Sequence, residues 1–233
     1  MTFYFKSFSI IQEQSAMKVG TDGVLLGAWV NPTSYPQKIL DIGTGTGLIA
    51  IMLAQRFTDS QIQAIEINEL AAQEAELNAQ SSPWSDRISV KHCSLQDYTH
   101  SSNYDLIVCN PPYFRNTTQS QDLARATARN NDSLSLEYLI EACLNLLNEK
   151  GQLTIIVPVD EYENIKTKAK NVGFYITQMC WVKGNHTSPV KRLLISLSKK
   201  KVLLNECYLT IENSRHNYTE DYKKLCEDFY LKL

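Results

Sequence analysis

The sequence has no run near the roughly 20 consecutive apolar residues that a membrane-spanning helix needs. Met1-Thr2-Phe3-Tyr4-Phe5-Lys6 carries no basic region leading into a long apolar stretch, so no secretory leader is expected. Positive charge is not in excess either: 23 lysines and arginines meet 25 acids, a formal net charge of −2. Proteins that grip nucleic acid through a broad phosphate footprint are usually basic, so any such contact here has to come from a local patch. The cysteines, at 93, 109, 143, 180, 207 and 226, form none of the close pairs that hold zinc, and several lie in apolar runs. They read as reduced core thiols of a cytoplasmic protein, and no metal site and no membrane association are expected. Internal repeats, low-complexity tracts and long linkers are also missing.

What remains is an ordinary globular composition, 43% hydrophobic and 21% charged over 233 residues. That length suits a single α/β domain spanning residues 1–233. Lys38–Ile42 reads as a buried strand, 47–57 as a helix, Gln61–Ile67 as a second strand, and Asn68 as the cap of an alanine-rich helix. Arg87–His92 and Tyr104–Cys109 predict two more strands. Leu136, Leu139, Ile140, Cys143, Leu144 and Leu147 recur at helical spacing. Gly151–Val157 is a further strand; Asp160 and Glu163 suggest a capping box, with Gly173 closing the helix that follows. Two strands are expected near 174–183 and 191–198, with no helix between them. Strands alternating with helices imply a mostly parallel sheet covered on both faces, here ending in a hairpin with one antiparallel strand. In such sheets ligands bind beyond the carboxyl ends of the strands, where the strand order switches.

Asp41-Ile42-Gly43-Thr44-Gly45-Thr46-Gly47 follows the first strong strand and opens a helix. A dinucleotide loop would place its third glycine at 48, where this chain has Leu48. The G-x-G-x-G spacing suits instead a nucleoside without a pyrophosphate, with an acid just ahead of the loop, and favours a methyltransferase. Glu66 ends the second strand, 19 residues after Gly47, where such folds present a carboxylate to a ribose diol. Asp97, after the third strand, is placed to accept from an adenine amino group. Lys18-Val19-Gly20-Thr21-Asp22-Gly23 is polar and turn-forming and Val24–Trp29 is apolar. This block either folds over the far end of a bound nucleoside cofactor, with Lys18 or backbone amides near a carboxylate there, or simply packs.

Asn110-Pro111-Pro112-Tyr113 directly follows the strand Tyr104–Cys109. Two prolines fix successive φ angles and restrict the residues before them, making a stiff turn. The Asn110 side chain and the Pro111 carbonyl are acceptors, which is what methylating an amine conjugated to a ring or carbonyl requires. Two acceptors on its N–H groups strengthen as positive charge develops on nitrogen, so they stabilise the transition state more than the ground state. Tyr113 offers a ring on which a base can stack, worth about 1–3 kcal/mol against the few kcal/mol needed to extrude a base. Taken with the glycine loop and Glu66, the tetrapeptide reads as catalytic.

At these residues the chain resembles the class I amino-methylating methyltransferases and, more narrowly, the bacterial tRNA(Val) adenine-N6 methyltransferases, which act on the adenosine just 3′ of the anticodon. The resemblance runs through Lys18–Trp29, Ile39–Gly47, Ala64–Ile67, Cys109–Phe114, Ala128-Arg129 ahead of Ser133-Leu134-Ser135, and Phe229-Tyr230-Leu231. It implies the class I Rossmann-like fold, a mostly parallel seven-stranded sheet with one antiparallel strand near the C-terminus. It implies S-adenosyl-L-methionine held by Asp41, Gly43, Gly45, Gly47, Glu66, Ile67, Asp97 and Asn110, with Lys18, Gly20, Thr21 and Asp22 near its methionine end. Residues 1–37 would cover that cofactor, and catalysis would fall to Asn110, Pro111, Pro112 and Tyr113.

For the substrate, adenine in tRNA is the sharpest reading, acted on by a monomer in the cytoplasm. Substrate contacts are expected from Tyr113, Phe114, Arg115, Arg125 and Arg129, and from Lys183, Lys191 and Arg192 near the late strands. The polar segment 115–132 is longer than most structural connections, which suits a substrate loop. Glutamine N5-methylation of a protein, guanine-N2 methylation of rRNA and adenine-N6 methylation of DNA share the same turn chemistry. The first is disfavoured because only 37 residues precede the first strand of the core, too few for an added helical domain. A scaffold that binds the cofactor without turnover has no need of Asn110–Tyr113.

Overall fold

A computed structural model describes residues 1–99, 103–112 and 134–232. The chain opens with a small hairpin, β1 (Thr2–Tyr4) and β2 (Ser9–Ile11), followed by helix α1 (Thr21–Trp29). The core then alternates: β3 (Lys38–Ile42), α2 (Leu48–Arg56), β4 (Gln61–Glu66), α3 (Glu69–Gln80), β5 (Ile88–His92) and β6 (Tyr104–Cys109). After the undescribed stretch come α4 (Leu136–Leu146), β7 (Leu147–Pro158), α5 (Tyr162–Val172), β8 (Tyr175–Asn185) and β9 (Val190–Ser198). The chain ends with β10 (Asn205–Ser214), β11 (Asn217–Tyr218) and α6 (Glu220–Cys226).

The main sheet runs β11-β10-β8-β9-β7-β6-β3-β4-β5. Its seven expected strands are present, and β9 lies antiparallel to both β7 and β8. Two strands lie beyond expectation: β10, parallel to β8, and the short β11, antiparallel to β10. They escaped the sequence reading because β10 is an outer strand with mostly exposed side chains and so carries no apolar run. The central strands do carry one: Ile39, Leu40 and Ile42 of β3 and Leu106–Cys109 of β6 are buried, as strands covered on both faces must be. One apolar cluster joins the sheet to α1, α2 and the terminal segments; the other joins it to α4 and α5.

Local chemistry sets several boundaries as expected. The Asn68 side chain accepts from the Ala71 amide at 3.0 Å to start α3, and Gly173, with φ 91°, ends α5. The Asp160–Glu163 capping box does not form. A 3₁₀ turn over Val159–Glu161 runs straight into α5, so Glu161 precedes the helix already in helical conformation and no side chain caps it. Leu147 leaves the apolar helical series and begins β7, pairing with Tyr104. The two ends of the chain meet, with Phe5 bridged to Tyr230 and Phe229 buried among them.

From β3 the chain steps outward to β4 and β5, then returns to β6 on the other side of β3. The switch in strand order therefore lies between the carboxyl ends of β3 and β6, where open α/β sheets bind ligands.

Candidate active site

A cavity of about 700 Å³ opens at that switch point. Its floor is the turn after β3. Gly43 and Gly45 sit at φ 68° and 56°, a region side chains rarely adopt, and a Cβ on either would meet no atom within 4 Å. They leave a cradle that side chains would have filled. Gly47 serves packing instead: its missing Cβ would press on the Ala75 carbonyl of α3 at 3.3 Å, and it does not line the cavity.

The loop is fastened to β4. Gly43 and Thr44 donate their amides to the Ile65 carbonyl at 2.9 and 3.0 Å, and Gly45 donates to Glu66 Oε2 at 2.9 Å. The other Glu66 oxygen accepts from the Asn68 amide at 3.0 Å. Each carboxylate oxygen has a further lone pair, so Glu66, half-buried on the cavity wall beside Ile67, retains capacity for a diol. Asp41 has a different position from the one expected. It is fully buried below the loop and does not reach the cavity; its Oδ2 accepts from Thr44 Oγ1 at 2.6 Å. Burial pushes its carboxyl up to about 7, against the opposing bonds from the Thr44 hydroxyl and the Ala50 amide. Its Oδ1 has no partner among the described residues.

Lys18, Gly20, Thr21 and Asp22 all line the cavity as well. Lys18 Nζ donates to the Gln12 and Glu13 carbonyls at 2.7 and 3.2 Å, so two of its three N–H bonds are taken by backbone. Gly20 precedes the first turn of α1, which brings backbone amides to the cavity. Asp22 accepts from Arg192 Nε at 2.7 Å. Asp97 does not line the cavity; it is exposed, with Oδ2 accepting from Ser94 Oγ at 2.6 Å. Its neighbours Ser94, Leu95 and Gln96 line the wall in its place.

Asn110, Pro111 and Pro112 form the rim next to the glycine loop, Asn110 half-buried and Pro111 buried. Tyr113, Phe114, Arg115, Arg125 and Arg129, with the whole expected substrate loop 115–132, lie outside the described residues. Lys191 is exposed at the start of β9, and Arg192 pairs across to Pro158 at the carboxyl end of β7, on the same edge of the sheet as the cavity. Lys183, half-buried, pairs with Val190. Several lining residues escaped the sequence reading: Ala16, Met17, Cys93, Ser94 and Leu134. Cys93 and Ser94 directly follow β5, so the strand-end rule could have found them; Met17 had no signal of its own.

Among the described residues no group of His, Cys, Asp or Glu could hold a metal ion, and no helix is long and apolar enough to cross a membrane. The residues present fit S-adenosylmethionine: an open glycine cradle, a carboxylate at the end of β4 and the N-terminus of α1 all line one cavity.

Residues 17–177 match the methyltransferase small domain family. The chain is 46% identical to a tRNA1(Val) (adenine(37)-N6)-methyltransferase of Flavobacterium psychrophilum, over 99% of this chain and 100% of that protein. It is also 46% identical to one of Trichodesmium erythraeum, over 99% and 98%. The fold matches a predicted O-methyltransferase of Agrobacterium tumefaciens with TM-score 0.65 at 16% identity, covering 89% of this chain and 96% of that one. It matches a ribosomal protein L11 methylase of Lactobacillus delbrueckii subsp. bulgaricus with TM-score 0.54 at 21% identity, covering 77% of each.

Proposed function

This chain belongs to the family of tRNA1(Val) (adenine(37)-N6)-methyltransferases, and on that premise we propose that it methylates N6 of the adenine just 3′ of the anticodon in tRNA1(Val). When bound, S-adenosylmethionine supplies an electrophilic methyl group on a sulfonium. Glu66 is assigned to the ribose hydroxyls, Gly43 and Gly45 to the close approach of backbone to cofactor, and Gly20, Thr21 and Asp22 to its amino-acid end. Asn110 and Pro111 are assigned as the two acceptors for the target amine. Their bonds draw the nitrogen towards tetrahedral geometry and tighten as charge develops on it. No strong base is required, because the proton leaves after attack; orientation within the rim supplies much of the remainder. Tyr113, Phe114 and the arginines at 115, 125 and 129, with Lys191, are assigned to the RNA.

One observation carries the reading: the glycine cradle, Glu66 and the Asn110-Pro111-Pro112 rim line a single cavity at the switch point. The lining residues run from Ala16 to Leu134, which supports one catalytic domain with residues 1–37 over the cofactor; a monomer belongs to the same proposal. A tRNA substrate supports a cytoplasmic location.

The test is incubation with labelled methyl donor and, separately, tRNA lacking the modification, rRNA, DNA and total protein, followed by analysis of the labelled product. N6-methyladenosine in tRNA1(Val) is the expected product. Label recovered in glutamine, guanine or DNA would replace the substrate, and cofactor binding without label in any arm would leave only a scaffold.

A further inference from the structure

Between β2 and α1, residues 12–19 form neither helix nor strand, yet Ala16, Met17 and Lys18 make one wall of the cavity. Side chains give this segment its shape. Glu74 on α3, only 3% exposed, accepts from three successive backbone amides: Glu13, Gln14 at 2.7 Å and Ser15 at 3.0 Å. One helical turn on, Asn78 accepts from the Ile11 amide and donates to the Ile11 carbonyl, both at 2.8 Å. The segment also closes on itself, since Gln12 Oε1 accepts from the Val19 amide at 2.7 Å and Lys18 donates to the Gln12 and Glu13 carbonyls. It is a loop tied at its neck and pinned to α3.

The same helix holds the other wall. Asn78 Nδ2 donates to the Thr46 carbonyl in the glycine loop at 2.8 Å, and Gly47 packs against Ala75. Residues four apart share a helix face, so Glu74 and Asn78 form one bracket between the two walls. A carboxylate buried this deeply is costly unless its oxygens are satisfied. Burial pushes the Glu74 carboxyl up, and the hydrogen bonds from Gln14, Ser15 and Glu13 more than reverse that, holding it below the usual carboxylate value. Its charge is thus retained, and these bonds all go to one segment with no regular structure of its own.

We propose that Glu74 is a positioning residue for the cofactor: it sets the Ala16–Lys18 wall at a fixed distance from the glycine loop, so that the cavity is shaped before S-adenosylmethionine enters. This rests on the cofactor reading above. Ordering the loop in advance removes an entropy cost that binding would otherwise bear.

The test titrates S-adenosylhomocysteine calorimetrically into the wild type, Glu74→Gln, Gln12→Ala and the double variant. Glu74→Gln keeps the side chain's length but leaves one oxygen to serve three amides and turns an NH₂ towards them. Affinity should fall about ten- to hundredfold, the scale of losing charge-assisted buried hydrogen bonds. Turnover at saturating donor should fall much less, and tryptic cleavage after Lys18 should accelerate. Gln12→Ala should also weaken binding, and the double variant should lose less than the two single effects combined, because both act through one loop. Should Glu74→Gln be unfolded at the assay temperature, Gln12→Ala carries the test through affinity and Lys18 cleavage. Tight binding by the wild type with unchanged affinity in the folded variants overturns the proposal alone. Fully additive losses overturn it too, as general destabilisation would give. A wild type that binds no S-adenosylhomocysteine overturns the cofactor reading itself.

Discussion

Ile42 and Cys109 stand in register across the parallel strands β3 and β6. The residues that follow them, Gly43 and Asn110, are therefore delivered side by side to the same edge of the sheet, 67 positions apart in the chain. Adjacent strands lie only about 4.8 Å apart, so a cofactor cradle and an acceptor turn placed on them share one cavity without further adjustment.

Because Asn110 is assigned to the amine, Asn110→Ala should lower turnover by about two to three orders of magnitude, as loss of an oriented group at developing charge does. S-adenosylhomocysteine affinity should stay within a few-fold. A matching loss of affinity would move Asn110 into the cofactor's own contacts.

Glu66→Ala should give the opposite split. The carboxylate fastens Gly45 and Asn68 and faces the cavity, so its removal loosens the cradle and deletes the expected diol partner. Cofactor affinity should fall more than about tenfold, while turnover at saturating donor changes less. Equal affinity in the variant and the wild type would remove Glu66 from the site.

The Arg192–Asp22 pair joins the start of β9 to the first turn of α1, with side chains about one-third and one-fifth exposed. An ion pair in that setting is worth about 1 kcal/mol or less. Arg192→Leu should therefore weaken cofactor binding a few-fold and leave the salt dependence of tRNA binding unaltered. Lys191→Ala, at an exposed neighbouring position, should lower that slope. If Arg192→Leu changes the slope as Lys191→Ala does, Arg192 contacts phosphate as first expected from the sequence.

Asp41 makes folding depend on pH. Its carboxyl is raised from 3.8 to about 7 in the folded chain, so between those values the native state holds a proton that the unfolded state has released. This contribution to stability is full below the unfolded value and is lost as pH rises towards 7. One proton caps the slope at about 1.4 kcal/mol per pH unit. Urea midpoints should thus fall between about pH 5 and pH 7 in the wild type and flatten in Asp41→Asn. Parallel curves would mean that another group is responsible.

Much of the centre was legible in the sequence. Lys38–Ile42 and Tyr104–Cys109 were read to the residue, because strands covered on both faces are dominated by apolar side chains. Gly43, Gly45, Glu66 and Asn110 were singled out by their positions at strand ends, and all four line one cavity. Asn68 was found because a cap is a local bond between near neighbours. Asp97 lies outside the lining, while Ser94, Leu95 and Gln96 form it: strand-end logic identifies the segment after β5 but not which of its residues line the cavity. The Asp160–Glu163 pair looked like a capping box because spacing alone cannot show that a 3₁₀ turn has already made the residue before the helix helical.

The sequence by itself determined the alternation of strands and helices, the glycine cradle and the stiff Asn110 turn, since each depends on propensities and bonds within a few residues. Only the tertiary structure decided that Asp41 lies beneath the loop, that Arg192 reaches Asp22, and that Glu74 and Asn78 clasp the N-terminal segment. Those partners are from 59 to 170 residues apart for the clasp and the ion pair, and strand register and helix packing choose them.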